Sequence, residues 1–271
     1  MLKRTLVRLN KIERINLSNA SNSRLFNFSN LKSDALSELD KEDFVIYPNY
    51  LNIEEQKVLL KQLLKKLDRV CGKPRRNADL QRQHEEQYEE GNLQRAFRHK
   101  DMYRWQTSHF DNVITGYREA NVRSMTVPNV VSEEGILGIL KRLYGCLYDN
   151  STEMTKLQAN DMKDERLEDD DLSVPKWIQS HILHLSPDGT IQAHVDNQEA
   201  MGSTIMGLSL GEERLVEFNN ESKGSFLVRL PSGSVYIQKS KLRYEYKHSI
   251  LQGNCRDQRL SLMLRDQPSP K

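Results

Sequence analysis

A chain of 271 residues with 40 Lys and Arg against 38 Asp and Glu has a net charge of only +2, which excludes a strongly basic, phosphate-neutralising body. The length fits one domain with appendages, and no apolar run approaches the ~20 residues needed to span a bilayer. The three cysteines, Cys71, Cys146 and Cys255, show neither C-x-x-C nor zinc-finger spacing, so neither a disulfide framework nor a structural zinc site is expected.

The charge is unevenly placed. Residues 1–33 hold seven basic residues and one acid, leaving a net of −4 for the rest. Leu2, Leu6 and Leu9 share a helical face with Arg4, Arg8 and Lys11 away from it, in a Ser- and Asn-rich, acid-poor stretch. That is the composition of a mitochondrial transit peptide, the alternative being a disordered basic tail. Residues 1–35 are therefore set apart from a single domain over 36–271. Phe44-Val45-Ile46-Tyr47 reads as a strand. Asn52 and Glu55 form a capping box for a helix whose Leu59, Leu60, Leu63, Leu64 and Leu67 would pack on a sheet.

Residues 72–104 are a charged insert of mixed sign, expected as a solvated loop or exposed helix. The alternative is a nucleic-acid contact in which Tyr88, Phe97, Tyr103 and Trp105 stack on bases. Ser132 would cap a second helix carrying Ile136, Leu140, Leu143 and Leu147 on one face. Residues 150–173 read as a polar loop. Beyond Trp177 the chain divides into short strands at 177–185, 190–195, 203–210, 213–219, 225–230, 234–239, 242–250 and 258–265, with Pro187-Asp188-Gly189 as a turn. Helices followed by eight strands predict an α+β fold with a double-stranded β-helix (jelly roll) core and N-terminal helices packed on the sheet.

His194-Val195-Asp196 carries the chemistry. Residues i and i+2 of a strand share a face, so an imidazole and a carboxylate stand side by side. A second imidazole, for which His248 is the best candidate, completes a triad of two His and one carboxylate. That set suits Fe(II) and leaves positions for a cosubstrate and O2. Arg259, Ser261, Met263 and Arg265 lie on one face of the last strand and Leu260, Leu262 and Leu264 on the other. A 2-oxo-dicarboxylate chelating the iron would need a fixed, bidentate cation for its far end, and Arg suits that role. Ser261 could hydrogen-bond the same molecule or be a core-edge serine. His109 and Asp111 form a second H-x-D without a following arginine pair. With Arg118 they are read as structural or substrate-side, and His181 and His184 as core histidines, the alternative for His181 being a place in the cosubstrate pocket.

The order H-x-D, distal His and R-x5-R resembles the signature of the AlkB-like Fe(II)/2-oxoglutarate dioxygenases. The strings Gly189 to Asp196, Gly202 to Leu210, Gly233 to Ile237 and Arg243 to Ile250 are similar to the mitochondrial AlkB homologue 7 branch. His109-Phe110-Asp111 and Gly116-Tyr117-Arg118-Glu119 look like that branch's N-terminal motif. The resemblance implies a dioxygenase of the mitochondrial matrix using Fe(II), 2-oxoglutarate and O2, with release of succinate and CO2. His194, Asp196 and His248 would hold the metal. Arg259 would pair with the distal carboxylate, Arg265 would sit near the chelating end, and Tyr236 would contact the cosubstrate. Repair enzymes of the wider family carry Asn-x-Tyr where this chain has His181-Ile182-Leu183, and they build a nucleotide-gripping lid that this branch mostly lacks. The expected substrate is therefore a protein or small molecule. The alternatives are a mitochondrial RNA demethylase and a non-catalytic metal-binding jelly-roll interaction protein. A zinc hydrolase would leave the arginine pair without a purpose.

Overall fold

The computed structural model describes residues 12–124, 133–151, 173–198, 201–250 and 255–267. Its elements in chain order begin with β1 (Ile15–Asn16), β2 (Phe26–Asn27), β3 (Phe44–Tyr47), α1 (Ile53–Val70), α2 (Ala78–Glu86), β4 (Gln106–Ser108) and β5 (Ile114–Val122). They continue with α3 (Glu133–Asn150), β6 (Ile178–His194), β7 (Thr204–Gly211), β8 (Arg214–Asn220), β9 (Gly224–Leu230) and β10 (Val235–Lys239). A short helix α4 (Ser240–Glu245), β11 (Lys247–Ile250) and β12 (Arg259–Asp266) close the chain. The strands run in the order β1-β3-β10-β7-β12-β6-β11-β8-β9-β2, with β5 also on β6 and β4 on β5, and every pairing is antiparallel.

This sheet curls over on itself. Leu183 and Leu185 of β6 and Tyr236 of β10 share an inner core with Val216 and Phe218 of β8 and with Phe226 and Val228 of β9. The outer face of β12 presents Leu260, Leu262 and Leu264 to the leucines of α1 and to Ile136, Leu140, Leu143 and Leu147 of α3. The expected jelly roll with helices on one sheet is the observed architecture. α1 starts as its sequence dictates: Asn52 Oδ1 accepts from the Glu55 amide at 3.0 Å, and Glu55 Oε2 accepts from the Asn52 amide at 3.0 Å.

β6 makes the corner. Its first half pairs with β12, Leu185 opposite Arg259, and its last residues pair with β11, His194 opposite His248. Pro187-Asp188-Gly189, expected as a turn between two strands, lies inside this one strand. Its register against β5 jumps from Thr190 opposite Thr115 to Leu185 opposite Tyr117, so residues 186–189 face Gly116 alone. The chain bends without reversing because both flanks stay paired with β5, which is the behaviour of a bulge. Only glycine fits the crossing, where a Cβ on Gly189 would lie 2.7 Å from the Gly116 carbonyl oxygen.

Other expectations need correction. The strand expected over 242–250 is α4 followed by the four residues of β11, because Leu242 turns inward in a single helical turn before the backbone extends. Residues 12–35 are not an appendage. β1 pairs with β3, β2 pairs with β9, and Ile15, Leu17 and Ala20 enter the inner core. The insert 72–104 is packed rather than merely solvated: α2 is capped by Asn77, while Leu93, Phe97, Met102 and Tyr103 are buried. Leu2, Leu6, Leu9, the cap at Ser132 and nearly all of the 150–173 loop lie outside the described residues.

What the insert covers is His184. Its imidazole is fully buried, 5.3 Å from the Phe97 ring, 5.1 Å from Tyr103 and 4.7 Å from Trp105. Burial, then the Arg118 charge, pushes His184 well below the ordinary histidine range, and burial lowers His84 too. The unfolded chain therefore binds protons that the fold refuses, and stability is lost as pH falls below the unfolded value of about 6.5. His184 alone contributes a slope approaching about 1.4 kcal/mol per pH unit there. Melting temperatures measured between pH 7 and pH 5 should fall steeply for the native chain and less steeply for His184→Gln. Equal slopes would show that His184 is not the acid-sensitive group.

Candidate metal centre and its cleft

His194 ends β6, Asp196 follows two residues later, and His248 stands opposite His194 on β11. One ligand atom from each lies within 4.8 Å of the others. His194 Nε2 is 3.7 Å from Asp196 Oδ1, His248 Nε2 is 4.0 Å from Asp196 Oδ2, and the two imidazole centroids are 4.3 Å apart. The Gln192 carbonyl 2.8 Å from His194 Nδ1 places the ring proton there and leaves Nε2 as an acceptor. Asp196 is 9% exposed, and its Oδ2 has no hydrogen-bond partner among the described residues. Burial alone would raise this carboxyl, but His194, Arg265 and His248 overcome it and hold it far below the usual carboxylate range. Burial lowers His248 to about 4, whereas His194 rises because Asp196 and the Gln192 carbonyl outweigh its burial. An ionised carboxylate, a neutral imidazole and a second imidazole of fixed tautomer form a donor set that fits one divalent cation.

The inner face of β12 carries the expected row. Arg259 is 2% exposed and its Nε donates to Ser209 Oγ at 3.2 Å. Among the described residues it has no carboxylate partner, and burial lowers it to about 10. Arg265 sits with NH2 3.7 Å from Asp196 Oδ1, and its Nε is buried without a partner. Tyr236 is buried on this face under the charges of Arg259, Asp196 and Arg265. Its ring occupies the space above Gly207, where a Cβ would lie 2.4 Å away. Ser261 is buried with its hydroxyl 3.4 Å from the Leu183 carbonyl. The seven residues singled out in the sequence are thus gathered on one inner surface.

A cleft of about 520 Å³ opens from the triad to solvent, lined by His194, Asp196 and Arg265 at its inner end and by His109, Asp111, Glu119 and His181 along its wall. His181 is not a core histidine: its Nε2 is 2.9 Å from Glu119 Oε2. Arg118 points the other way, is fully buried and pairs with Asp68 at 2.6 Å, so it is structural. The resemblance marks Gly116 to Glu119, but the hairpin of β4 and β5 and the place of Glu119 in the cleft are not read from the sequence. The signal was present in Asp111-Asn112, where Asn112 takes φ +60° between two β-prone runs.

Residues 153–265, less than half of the chain, match the family model of the 2OG-Fe(II) oxygenase superfamily. A bovine protein named "Alpha-ketoglutarate-dependent dioxygenase alkB homolog 7, mitochondrial" is 40% identical over 73 residues, 26% of this chain and 33% of that protein. Its mouse counterpart is 38% identical over 73 residues, with the same coverage. The matched stretch thus spans about a third of either relative. Among solved structures, a Pseudomonas putida prolyl-4-hydroxylase aligns with a TM-score of 0.45 at 10% identity, covering 83% of this chain and 92% of that one.

Proposed function

We propose that the chain is an Fe(II)- and 2-oxoglutarate-dependent dioxygenase of the AlkB homologue 7 type, acting on a protein or small substrate in the mitochondrial matrix. One observation carries the reading. On a single inner surface a buried carboxylate with an unpartnered oxygen stands between two imidazoles, and a buried arginine lacks any carboxylate among the described residues. A cation satisfies the first and a dicarboxylate the second. The matrix assignment rests on residues 1–11, which hold Lys3, Arg4, Arg8 and Lys11 and no acid, and on the names of the two relatives.

His194, Asp196 and His248 would hold the iron through Nε2, a carboxylate oxygen and Nε2. Bound there, ferrous iron supplies the O2 activation that couples oxidation of 2-oxoglutarate to succinate and CO2 with hydroxylation of a substrate C–H bond. The protein supplies position and dryness. Gln192 fixes the His194 tautomer. Ser209 fixes the Arg259 guanidinium, leaving its terminal N–H groups to grip a distal carboxylate in bidentate fashion. Tyr236 and Ser261 would add hydroxyl contacts to the cosubstrate, and Arg265 would stand at its chelating end.

The test is succinate release from 2-oxoglutarate by the full chain, loaded anaerobically with Fe(II) and then exposed to O2. Release that needs both iron and oxygen is expected. Iron-replete protein that neither releases succinate nor binds 2-oxoglutarate would belong with non-catalytic, metal-binding jelly-roll proteins.

A second reading, an RNA demethylase, is favoured by one feature. A groove of about 560 Å³ at the end of α1 is lined by Lys65, Arg69, Lys73, Arg75, Arg76 and Arg98, with Asp68 as its single acid. If RNA is the substrate, its affinity should fall steeply with salt, and Arg75→Gln with Arg76→Gln should flatten that dependence by about two phosphate contacts. Salt-independent or absent RNA binding removes this reading.

A further inference from the structure

The wall of the cleft has a chemistry that the iron and the cosubstrate do not use. Asp111, His109, Glu119 and His181 run along it in a chain. His109 Nδ1 is 2.8 Å from Asp111 Oδ1, His109 Nε2 is 3.8 Å from Glu119 Oε1, and His181 Nε2 is 2.9 Å from Glu119 Oε2. Among the described residues this chain leaves Asp111 Oδ2 and Glu119 Oε1 without a hydrogen bond. Among the described residues the cleft lining includes no lysine, and its single arginine, Arg265, is held against Asp196 at the inner end.

A second observation lies at the rim. Phe110, between His109 and Asp111 at the tip of the β4–β5 hairpin, is 90% exposed, far above the other large apolar side chains that face solvent. Its ring is held against the His109 ring at 4.2 Å. The rest of the Phe110 ring is open to solvent. Beside two carboxylates it is half of a cation-recognition pair, since an aromatic face and an ionised carboxylate both attract an ammonium or guanidinium group and neither attracts a phosphate.

We propose that the Asp111–Glu119 wall and the Phe110 rim select a cationic side chain of a basic peptide and lead it to the metal centre. This deepens the dioxygenase reading and rests on it for the identity of the inner end. Glu119 is the specificity-determining residue. Its carboxylate is fixed by His181, and that contact ahead of all others keeps it ionised below the usual carboxylate range. Phe110 closes over the hydrocarbon part of the same side chain. The buried, unpartnered Asp196 oxygen at the inner end marks the cleft as built for ligand rather than only for solvent.

The test uses two labelled peptides of equal length, one rich in lysine and trimethyllysine and one rich in glutamate. Both are titrated by fluorescence anisotropy against the full chain loaded with Fe(II) under anaerobic conditions. The lysine peptide should bind at least about tenfold more tightly than the glutamate peptide. Glu119→Gln should weaken it about tenfold and Phe110→Ala about fivefold. Glu54→Gln, which removes an exposed acid on α1 outside the cleft, should not change it. The same protein is titrated with 2-oxoglutarate by calorimetry. Cosubstrate binding without peptide discrimination overturns the cleft assignment alone, and peptide discrimination without cosubstrate binding overturns the dioxygenase reading alone. An oligoribonucleotide that outcompetes the lysine peptide, with Glu119→Gln neutral, also overturns the proposal.

Discussion

His248→Ala is expected to yield protein whose iron content falls from one equivalent to near zero, with loss of succinate formation. The effect is large because the triad has no spare donor: among the described residues, no other group of three His, Cys or carboxylate side chains could hold a metal. The two remaining donors, His194 and Asp196, come from one strand end. A divalent cation held by two protein donors instead of three should bind more weakly by at least about 100-fold, beyond the usual loss from removing a supporting partner. His99→Ala, in the packed insert, provides the comparison and should keep its iron. The check is metal analysis after dialysis of both variants. Equal iron in both would remove His248 from the ligand set.

Arg259→Met should divide stability from function. In the described structure Arg259 is a buried cation whose only hydrogen bond goes to Ser209 Oγ, and an unpaired buried charge is costly to the fold. A methionine of similar length removes that cost, so the metal-free variant should melt higher, by about 2–4 °C for each kcal/mol gained. Its affinity for 2-oxoglutarate should fall roughly 100-fold, the loss of two charge-assisted hydrogen bonds at about 1.5 kcal/mol each. Arg259→Lys keeps the charge without the planar fork and should lie between the two. Thermal melts and calorimetric titration of the same samples decide the matter. A variant with unchanged cosubstrate affinity would show that the clamp is elsewhere.

The inner surface was legible because strand periodicity fixes faces. His194 and Asp196 share a side by spacing alone, and Arg259, Ser261, Met263 and Arg265 alternate with leucines that the helices cover. The jelly roll itself was legible in the succession of short strands. Sequence failed where a local signal competed with long-range pairing. Pro187-Asp188-Gly189 carries turn chemistry, yet β5 keeps both flanks in one strand and turns the signal into a bulge. Tyr244 and Tyr246 suit a strand, but the chain curls over Ser240–Glu245 into α4 because Leu242 is drawn into the inner core. The N-terminal segment looked like a leader by charge, while Ile15, Leu17 and Ala20 are core residues whose partners on β3 and elsewhere in the inner core are distant in sequence. Glu119 received no role because nothing in Gly116-Tyr117-Arg118-Glu119 tells that Arg118 turns to Asp68 behind the sheet while Glu119 turns to the cleft.

In the proposed site the metal and Arg259 would hold the two ends of the same dicarboxylate. The decisive experiment is calorimetric titration of 2-oxoglutarate into the full chain, anaerobically, with and without one equivalent of Fe(II). One equivalent of 2-oxoglutarate should bind to the iron-loaded protein and at least about tenfold more weakly to the metal-free protein, because chelation and clamp each contribute. Binding that is indifferent to iron, or iron uptake without any 2-oxoglutarate binding, would contradict it.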